Sequence, residues 1–466
     1  MNQKLKLIER VQLLSNLRGR HLRVAIAIVV LACGIRVAMF YTIYPAQRHG
    51  AAGAFGSAAV SIYLGGGLTT NDQEVSIIEN LPNNYSGNYL SFHTNAAREP
   101  FTEFLPGPPI LIALLWSLIP KFNFAPYVFL QCVIDAGLIG CFYLVFESYN
   151  RIIALTTTAM MVLDVASIKR TLMVGYDFWP QFTVLVTFIG ILGIVGNPDR
   201  LWRYTLLGLV SAITIWFRDL TTFLPFAVTP MLVWYLRGRV SNSFRRTVFK
   251  AFLYLLPLLI SLGLLSFFRF ETTGSYRPTR STFWHSVMVG ICQFPNPFGL
   301  ASTDTSVWNY AKSINRDLER YKLADMYKLP NSPYEETVKQ LSLEFIKLHP
   351  WLFVRNALYR IGIMISPLLY RDGDFIPQSV GVVLLPVAIV SLLLWFIGLF
   401  RLLRSQPALF WLCASVYVYF FGAFGWFYVI GRVILPFLFI NCIMYLYGIE
   451  GILRTGRARL MAGHPL

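Results

Sequence analysis

Charged residues are scarce in this 466-residue sequence, where they make up 14% of the chain. A typical soluble domain has about 25% charged residues, so the low value excludes an ordinary water-soluble globular protein. Hydrophobic residues make up 56% of the chain and aromatic residues 15%. They fall in long uninterrupted runs that only a lipid bilayer accommodates. The sequence therefore predicts a polytopic membrane protein.

Acidic residues are the scarcer of the charged types, since 23 Asp and Glu stand against 40 Lys and Arg, with a net charge of +17. The basic residues lie mostly in short segments between apolar runs, where they set the orientation in the membrane. We therefore expect no nucleic-acid partner. Five of the six cysteines lie within apolar runs and only Cys292 lies in a polar stretch. This distribution predicts neither a disulfide framework nor a cysteine-based metal site.

Motifs for nucleotides and metals are also missing from the sequence. The GGG at residues 65–67 precedes no P-loop lysine, and no histidines have the H-E-x-x-H spacing of a zinc site. No cofactor is therefore predicted with a definite site. A divalent cation held by carboxylates and a substrate phosphate is compatible with the composition, but the sequence does not identify its ligands.

Ten apolar runs are candidates for membrane spans, which need about 20 apolar residues each. They cover residues 22–44, 124–147, 152–168, 178–196, 203–217, 222–236, 249–268, 378–400, 408–424 and 427–447. The basic residues before the first run predict a cytoplasmic N-terminus and an uncleaved signal anchor. The apolar segment 107–120 is short and bounded by prolines. We expect it to lie in the outer leaflet, because a crossing there would move every later basic loop outside.

These spans divide the chain into a cytoplasmic basic N-terminus (1–21), a membrane module (22–447) and a cytoplasmic basic tail (448–466). The module includes two large external segments, residues 45–123 and 269–377. The second segment has charges at helical spacing and ends in the amphipathic stretch WLFVRNALYRIGIMISPLLY. We expect it to form a small helical layer on the outer surface.

Candidate functional side chains gather in the external loops. They are Asp72, Glu99 and Glu103 in the first loop, Arg170 and Asp177 in SIKRTLMVGYDFWP, Arg218 in WFRDLTTFLP, Arg280 in the second large segment, and Arg432 near the external end of the last span. Several loops each bring a cation together with a carboxylate, and such groups can converge on one anionic substrate. A carboxylate beside the cations can take a proton from an attacking hydroxyl. Ion pairing at a wet interface is the competing interpretation for each residue.

Asp135 lies within the second predicted span. An acid at that depth needs a polar partner inside the bundle. We therefore expect Asp135 to tie helices together rather than to catalyse a reaction.

The order of features resembles a known plan. A basic N-terminus and first span lead to a long external loop that closes with FLPGPPILIALLWSL, and FLQCVIDAGLIGCFYLVFE then forms the second span. An acid follows the third span, a late external segment ends in FIKLHPWLFVRNALYRIGIMISP, and the last span contains an Arg-x-x-x-Pro in GRVILPFLFI. Over roughly residues 20–450 the chain resembles the GT-C glycosyltransferases, which include the protein mannosyltransferases and the lipid A aminoarabinose transferases.

The resemblance implies an all-α bundle that transfers a sugar from a polyprenyl-phosphate donor to a protein, lipid or glycan acceptor on the external face, with inversion. It also implies a bacterial inner-membrane enzyme whose active site faces the periplasm. Asp177 matches the acid after the third span, and Arg432 matches a basic residue near the carrier phosphate, with Arg218, Arg280 and Arg170 as helpers.

The catalytic base is left open by the resemblance, because the family's acid shortly after the first span has no match in PAQRHGAAGAFGSAAVSIYLGGGL. The nearest loop acids are Asp72, Glu74, Glu99 and Glu103, of which Glu103 and Glu99 are favoured because they adjoin the PGPP segment.

Two other functions are compatible with the same features. One is an O-antigen ligase or polymerase that uses a polyprenyl-diphosphate donor. The other is a flippase or transporter of lipid-linked sugars, which is disfavoured because no internal repeat is visible.

Overall fold

The protein is an all-α polytopic membrane protein apart from one two-stranded β pair. A computed structural model describes residues 2–44, 51–81, 85–87, 97–102, 104–119, 121–175, 177–239, 243–278, 283–321, 332–366, 385–426 and 435–462. Within these ranges seven helices are long and apolar enough to cross a membrane, or eight if one bent pair forms a single span.

The helices of the membrane bundle follow the predicted apolar runs. They are α1 (Asn2–Ile43), α5 (Ala125–Phe146), α6 (Arg151–Leu163), α7 (Val165–Thr171), α8 (Phe178–Gly196), α9 (Leu201–Thr214), α10 (Leu224–Arg239), α11 (Phe244–Thr273), α16 (Leu385–Ser405), α17 (Pro407–Phe420) and α18 (Leu438–Ala462). Helices α6 and α7 form the bent pair, with an angle of 55° between them. Asp164 lies at the bend, where its carboxylate accepts the Ala166 backbone N–H and starts the new helix.

The predicted number of ten spans is met only in part. Helix α9 corresponds to the run 203–217 but has 14 residues, too few to cross a bilayer as a straight helix. Helix α18 corresponds to the run 427–447, whose first residues lie outside the described ranges. The count of ten therefore stays a prediction.

One face of the bundle carries both large segments, and we call it the loop face. Trp179 at the start of α8 donates to the Tyr127 hydroxyl at the start of α5, which places both helix ends on this face. Tyr419 near the end of α17 donates to the Leu220 carbonyl, which places the end of α17 and the turn after α9 on the same face. Basic residues such as Lys250 and Arg401 lie at the opposite helix ends. This arrangement agrees with the prediction that the two large segments and the basic loops lie at opposite ends of the spans.

The first large segment begins with helices α2 (Ala52–Tyr63) and α3 (Asp72–Glu79), strands β1 (Thr69–Thr70) and β2 (Glu99–Pro100), and helix α4 (Gly107–Leu118). The two strands pair antiparallel. Helix α4 is the predicted short apolar segment, and its 12 residues are too few for a span. Ile110, Leu114 and Leu118 are 46%, 58% and 74% exposed. Their spacing makes one apolar stripe along the helix, as expected for a helix that lies against lipid.

The second large segment is the predicted helical layer. It contains α12 (Phe283–Ile291), α13 (Asp304–Ile314), a 3-10 turn at Arg316–Arg320, α14 (Pro333–Leu348) and α15 (Pro350–Ile365). Trp308, Tyr334, Val338 and Phe345 form part of its own apolar core. The prediction of a small helical layer is therefore confirmed for these residues.

Arg360 connects this layer to the bundle. Its guanidinium donates to the carbonyls of Gly290 in α12 and of Gly425 and Trp426 beyond the end of α17. Carbonyls near helix C-termini carry partial negative charge and favour such a cation. Burial lowers the pKa of Arg360 to about 10, so the side chain keeps its charge at neutral pH.

Close packing between membrane helices depends on small residues. A Cβ atom on Gly448 in α18 would overlap the Leu394 carbonyl of α16, and one on Gly398 in α16 would overlap the Met444 carbonyl of α18. The backbones of the two helices therefore approach directly, as is common between membrane helices.

A buried ion pair joins α1 to α5. The Arg36 Nε lies 2.7 Å from the Asp135 Oδ2, and an Arg36 Nη1 donates to the Ala32 carbonyl at 3.2 Å. The two side chains are 0% and 1% exposed. Asp135 thus has the polar partner inside the bundle that its position in a span requires.

Arg36→Met and Asp135→Leu should each destabilise the protein strongly, because each leaves an unpaired buried charge at a cost of about 3–5 kcal/mol. The double variant should recover most of the loss, since it removes both charges. Thermal unfolding of purified protein in detergent measures the effect. A double variant no more stable than the single variants would show that the pair is not the reason for the loss.

Candidate active site

Two turns of the loop face meet at an aromatic contact. The Trp179 ring packs on the Phe217 ring with centroids 3.8 Å apart. The Trp179 indole N–H donates to the Tyr127 hydroxyl at 3.0 Å, and that hydroxyl donates to the Gly175 carbonyl at 3.3 Å. These contacts hold the turn between α7 and α8 beside the turn after α9. Asp177 lies in the first turn and Arg218 in the second.

Asp177 is fixed by one of its two carboxylate oxygens. Its Oδ2 lies 3.0 Å from the Arg170 Nη1 at the end of α7. Its Oδ1 is buried and has no hydrogen-bond partner among the residues that the structure describes. A carboxylate held on one side by a cation keeps its orientation. The predicted pair of Arg170 and Asp177 is therefore brought together.

Arg218 is a largely buried cation, with 8% of its surface exposed. Its Nε lies 3.6 Å from the Asp219 Oδ1. Arg269, which is 4% exposed, lies four residues before the end of α11 at the same face. Buried guanidinium groups are costly to desolvate, so each of these arginines needs polar groups around it.

An apolar groove with a cavity volume of about 360 Å³ leads to the Arg218 turn. It is lined by Gly107, Ile110 and Leu114 of α4, by Leu209 and Ile213 of α9 and by Trp216 and Phe217 of the turn. Ile110, Leu114, Leu209 and Ile213 are 46–60% exposed, which opens the groove sideways. An apolar groove open to the side of a membrane bundle is suited to an acyl or isoprenoid chain.

Gly107 fixes the outer end of this groove. Its backbone N–H donates to the Trp216 carbonyl at 2.8 Å, and a Cβ atom at this position would lie 2.7 Å from the same carbonyl. The proline-rich start of α4 can therefore approach the turn only with glycine at this position. The Ser261 hydroxyl accepts the Trp216 indole N–H at 2.6 Å and donates to the Ala212 carbonyl. Both bonds are made within the protein, so Ser261 adds no unbonded O–H to the groove.

The other predicted site residues fall in two groups. Asp72 at the start of α3 and Glu99 in β2 are both exposed near the β1–β2 pair. Glu103, Arg280 and Arg432 lie outside the described residues. Their roles therefore stay predictions. The described geometry pairs Asp177 with Arg170 and places the turn that carries Arg218 beside theirs.

Glu74 is a buried loop acid that the sequence favoured less than its neighbours. Its side chain is 0% exposed, accepts the Ser57 hydroxyl at 2.8 Å and pairs with Arg98. The Ser57 oxygen also accepts the Asn71 backbone N–H at 3.0 Å. These bonds join α2, α3 and the approach to β2. Glu74 therefore fastens the first large segment. The available sequence signal was its spacing of one helical turn from the apolar Ile78, which is buried on the same side of α3.

A second titratable cluster lies in the helical layer. The buried His285 contacts the Tyr334 hydroxyl through Nδ1 at 2.5 Å and the Asp304 carboxylate through Nε2 at 3.1 Å. The neighbouring Glu335 accepts the Trp284 backbone N–H at 2.8 Å, and burial raises the pKa of Glu335. These bonds join α12, α13 and α14. Among the described residues no group of three His, Cys, Asp or Glu is placed to hold a metal ion.

No protein-family model matches this sequence, and no curated protein matches it significantly.

Glu74→Gln should destabilise the first large segment, because it removes the charge that pairs with Arg98 in a buried place, at a cost of about 3 kcal/mol. Glu79→Gln is the matched control, since Glu79 lies on the same helix and is exposed. Limited proteolysis within residues 51–101 and the melting temperature report the difference. Equal protease resistance in the two variants would contradict the structural role of Glu74.

Proposed function

We propose that this protein is a glycosyltransferase that moves a sugar from a polyprenyl-phosphate donor to a hydroxyl of a protein, lipid or glycan acceptor at the loop face. In a bacterial inner membrane this face would be the periplasmic one. The proposal is carried by one observation: an apolar groove open to the side of the bundle ends at Phe217, one residue before the buried Arg218, and Phe217 packs on Trp179, two residues after Asp177.

The groove and Arg218 match the two parts of the donor. An isoprenoid chain stays in the hydrocarbon region, and its phosphate lies at the headgroup level. Leu209 and Ile213 of α9 line the groove in which the isoprenoid chain would lie. Phe217 ends the groove one residue before Arg218. An arginine fork suits a phosphate. The first isoprene units therefore occupy the groove while Arg218 binds the phosphate.

Asp177 supplies the base in this proposal. Its Oδ1 takes the proton of the acceptor hydroxyl as that oxygen forms a bond to the anomeric carbon. The bond from the anomeric carbon to the phosphate oxygen breaks, and polyprenyl phosphate leaves with the electron pair. Attack opposite the leaving group inverts the anomeric centre. Arg218 stabilises the charge that develops on the phosphate, and Arg170 keeps the carboxylate in place.

Asp177→Asn should lower sugar transfer by about 100-fold or more, because the amide cannot accept the proton. The assay uses protein in lipid nanodiscs with a panel of polyprenyl-monophosphate sugars, including mannose and aminoarabinose, and membrane extract as acceptor. Asp317→Asn is the control, since Asp317 is an exposed acid of the helical layer. Full activity in Asp177→Asn would assign the base to another acid, with Glu99 and Glu103 next to be tested.

Arg218→Gln and Ile213→Trp should both weaken binding of the donor lipid, one by removing the cation and the other by filling the groove. Undecaprenyl monophosphate alone is the probe, and its binding should raise the melting temperature of the wild-type protein by mass action. The rise should be lost in both variants and kept in Arg316→Gln, which changes an exposed arginine of the helical layer. An equal rise in all four proteins would contradict the assignment of the groove.

The same preparations separate the alternative functions. Activity with diphosphate-linked oligosaccharides alone would favour a ligase or polymerase over the monophosphate enzyme. Movement of a labelled lipid-linked sugar across a liposome membrane without any covalent product, unaffected by Asp177→Asn, would favour a transporter.

A further inference from the structure

Helix α15 has two apolar faces, of which only one is covered by protein. Ala357, Arg360 and Met364 are buried against the rest of the molecule. On the opposite side Trp351 and Leu358 are 74% and 60% exposed. A side that is both apolar and exposed needs a partner that the described chain does not provide.

The exposed side of α15 forms a continuous strip, which we call the α15 strip. It consists of Trp351, Arg355, Leu358 and Tyr359, at the i, i+4, i+7 and i+8 positions of one helical face. Tyr359 is 55% exposed, and the Arg355 guanidinium lies over its ring at 5.8 Å. The strip therefore combines two aromatic side chains and a leucine with one cation.

The C-terminal end of α15 lies among the outer turns of membrane helices. The Asn441 side chain in the first turn of α18 donates to the Met364 carbonyl at 2.9 Å. The Ser366 hydroxyl lies 2.7 Å from the Ser391 hydroxyl in the second turn of α16. These partners fix the end of α15 at the depth where two spans begin.

This anchoring sets the height of the α15 strip. A helix rises 1.5 Å per residue, so Leu358 lies about 10 Å along the axis from Ile365. The lower end of the strip therefore lies within about 10 Å of the helix end that the two spans hold near the boundary between hydrocarbon and headgroups. Near its lower end, Val387 and Val390 of α16 are about half exposed on either side of Ala388, whose carbonyl accepts the Ser366 hydroxyl.

The charges of α15 fit a phospholipid surface. The helix contains Arg355 and Arg360 and no acidic residue. Arg360 is used inside the protein. Arg355 is exposed and makes one long hydrogen bond, 3.5 Å, to the Asn356 Oδ1, so its other N–H groups can reach lipid phosphates. Tryptophan and tyrosine favour the membrane interface, and an arginine stem can lie on apolar surface while its head reaches the phosphate.

We propose that the α15 strip is a docking surface for the phospholipid headgroup layer of the membrane that the bundle spans. Helix α15 then rests on the leaflet through Trp351, Leu358 and Tyr359, and Arg355 binds a lipid phosphate. This contact holds the helical layer at a fixed height above the bilayer. It is independent of the proposed glycosyltransferase activity, because it requires only a phospholipid bilayer.

Tryptophan quenching in nanodiscs tests the proposal with the full-length protein. The difference in emission between wild type and Trp351→Phe isolates one of the 11 tryptophans. In nanodiscs of brominated phosphatidylcholine this difference should fall to less than half of its value in unbrominated lipid. Trp308→Phe is the control, because Trp308 is buried in the helical layer and its difference signal should not change.

A second probe covers the case in which Trp351 lies too high to be quenched. The Leu358→Trp substitution in the Trp351→Phe background places the reporter about 10 Å lower along the helix. Loss of emission to brominated lipid at either position supports the proposal. Quenching of both positions by aqueous acrylamide alone would overturn it. Protection from both quenchers would also overturn it, since a second copy of the chain or another protein would then cover the strip.

Discussion

A charge that lies next to hydrocarbon must find its partner inside the protein, and this constraint explains the arrangement of most buried ions in the molecule. At mid-bundle, Arg36 and Asp135 satisfy each other and join the first helix to α5. At the loop face, Arg360 is satisfied by carbonyls near the ends of two helices and the helical layer is thereby attached. Structural charges are thus paired closely. Asp177 is likewise paired with Arg170 through its Oδ2, and it is the acid to which our proposal gives the role of base.

The bend between α6 and α7 places the site at the edge of the bilayer. Asp164 accepts the Ala166 backbone N–H at the break, and the short helix α7 then changes direction by 55°. Arg170 lies near the end of this short helix, within 3.0 Å of Asp177. A straight span would carry the chain out of the membrane along a single axis. The bend instead keeps the cation and the acid beside the Arg218 turn, as the proposed reaction requires.

The sequence predicted the membrane class, the course of most spans and the helical layer, because long apolar runs and charges at helical spacing are local signals. It also predicted that Asp135 needs a partner. It could not name Arg36, which is 99 residues away, because pairing across helices depends on their packing. For the same reason the sequence could not show that Glu74 pairs with Arg98 and Ser57. The order of polar and apolar residues along α3 does not show which of its acids faces Ser57 of α2.

The walls of the groove could not be named from the sequence. They come from α4, α9 and α11, which are distant along the chain, and their junction depends on a glycine that lets α4 touch the Trp216 carbonyl. In the sequence, GPP in a proline-rich segment indicated only a short helix start. The reason for Gly107 is visible when the turn after α9 is placed against it.

The position of the polar groups bears on the choice between an enzyme and a transporter. A transporter for a lipid-linked sugar needs polar groups that a headgroup can meet at the midplane of the bilayer. In the described part of the bundle, the ion pair between α1 and α5 is sealed, with both side chains at most 1% exposed. The apolar groove beside the Arg218 turn and the Arg170–Asp177 ion pair lie at the loop face. In the proposed reaction a site on one face needs no alternating access, because the donor would reach it from the side through the lipid and the acceptor from the water. The described geometry is therefore better suited to group transfer at the membrane surface than to passage through the bundle.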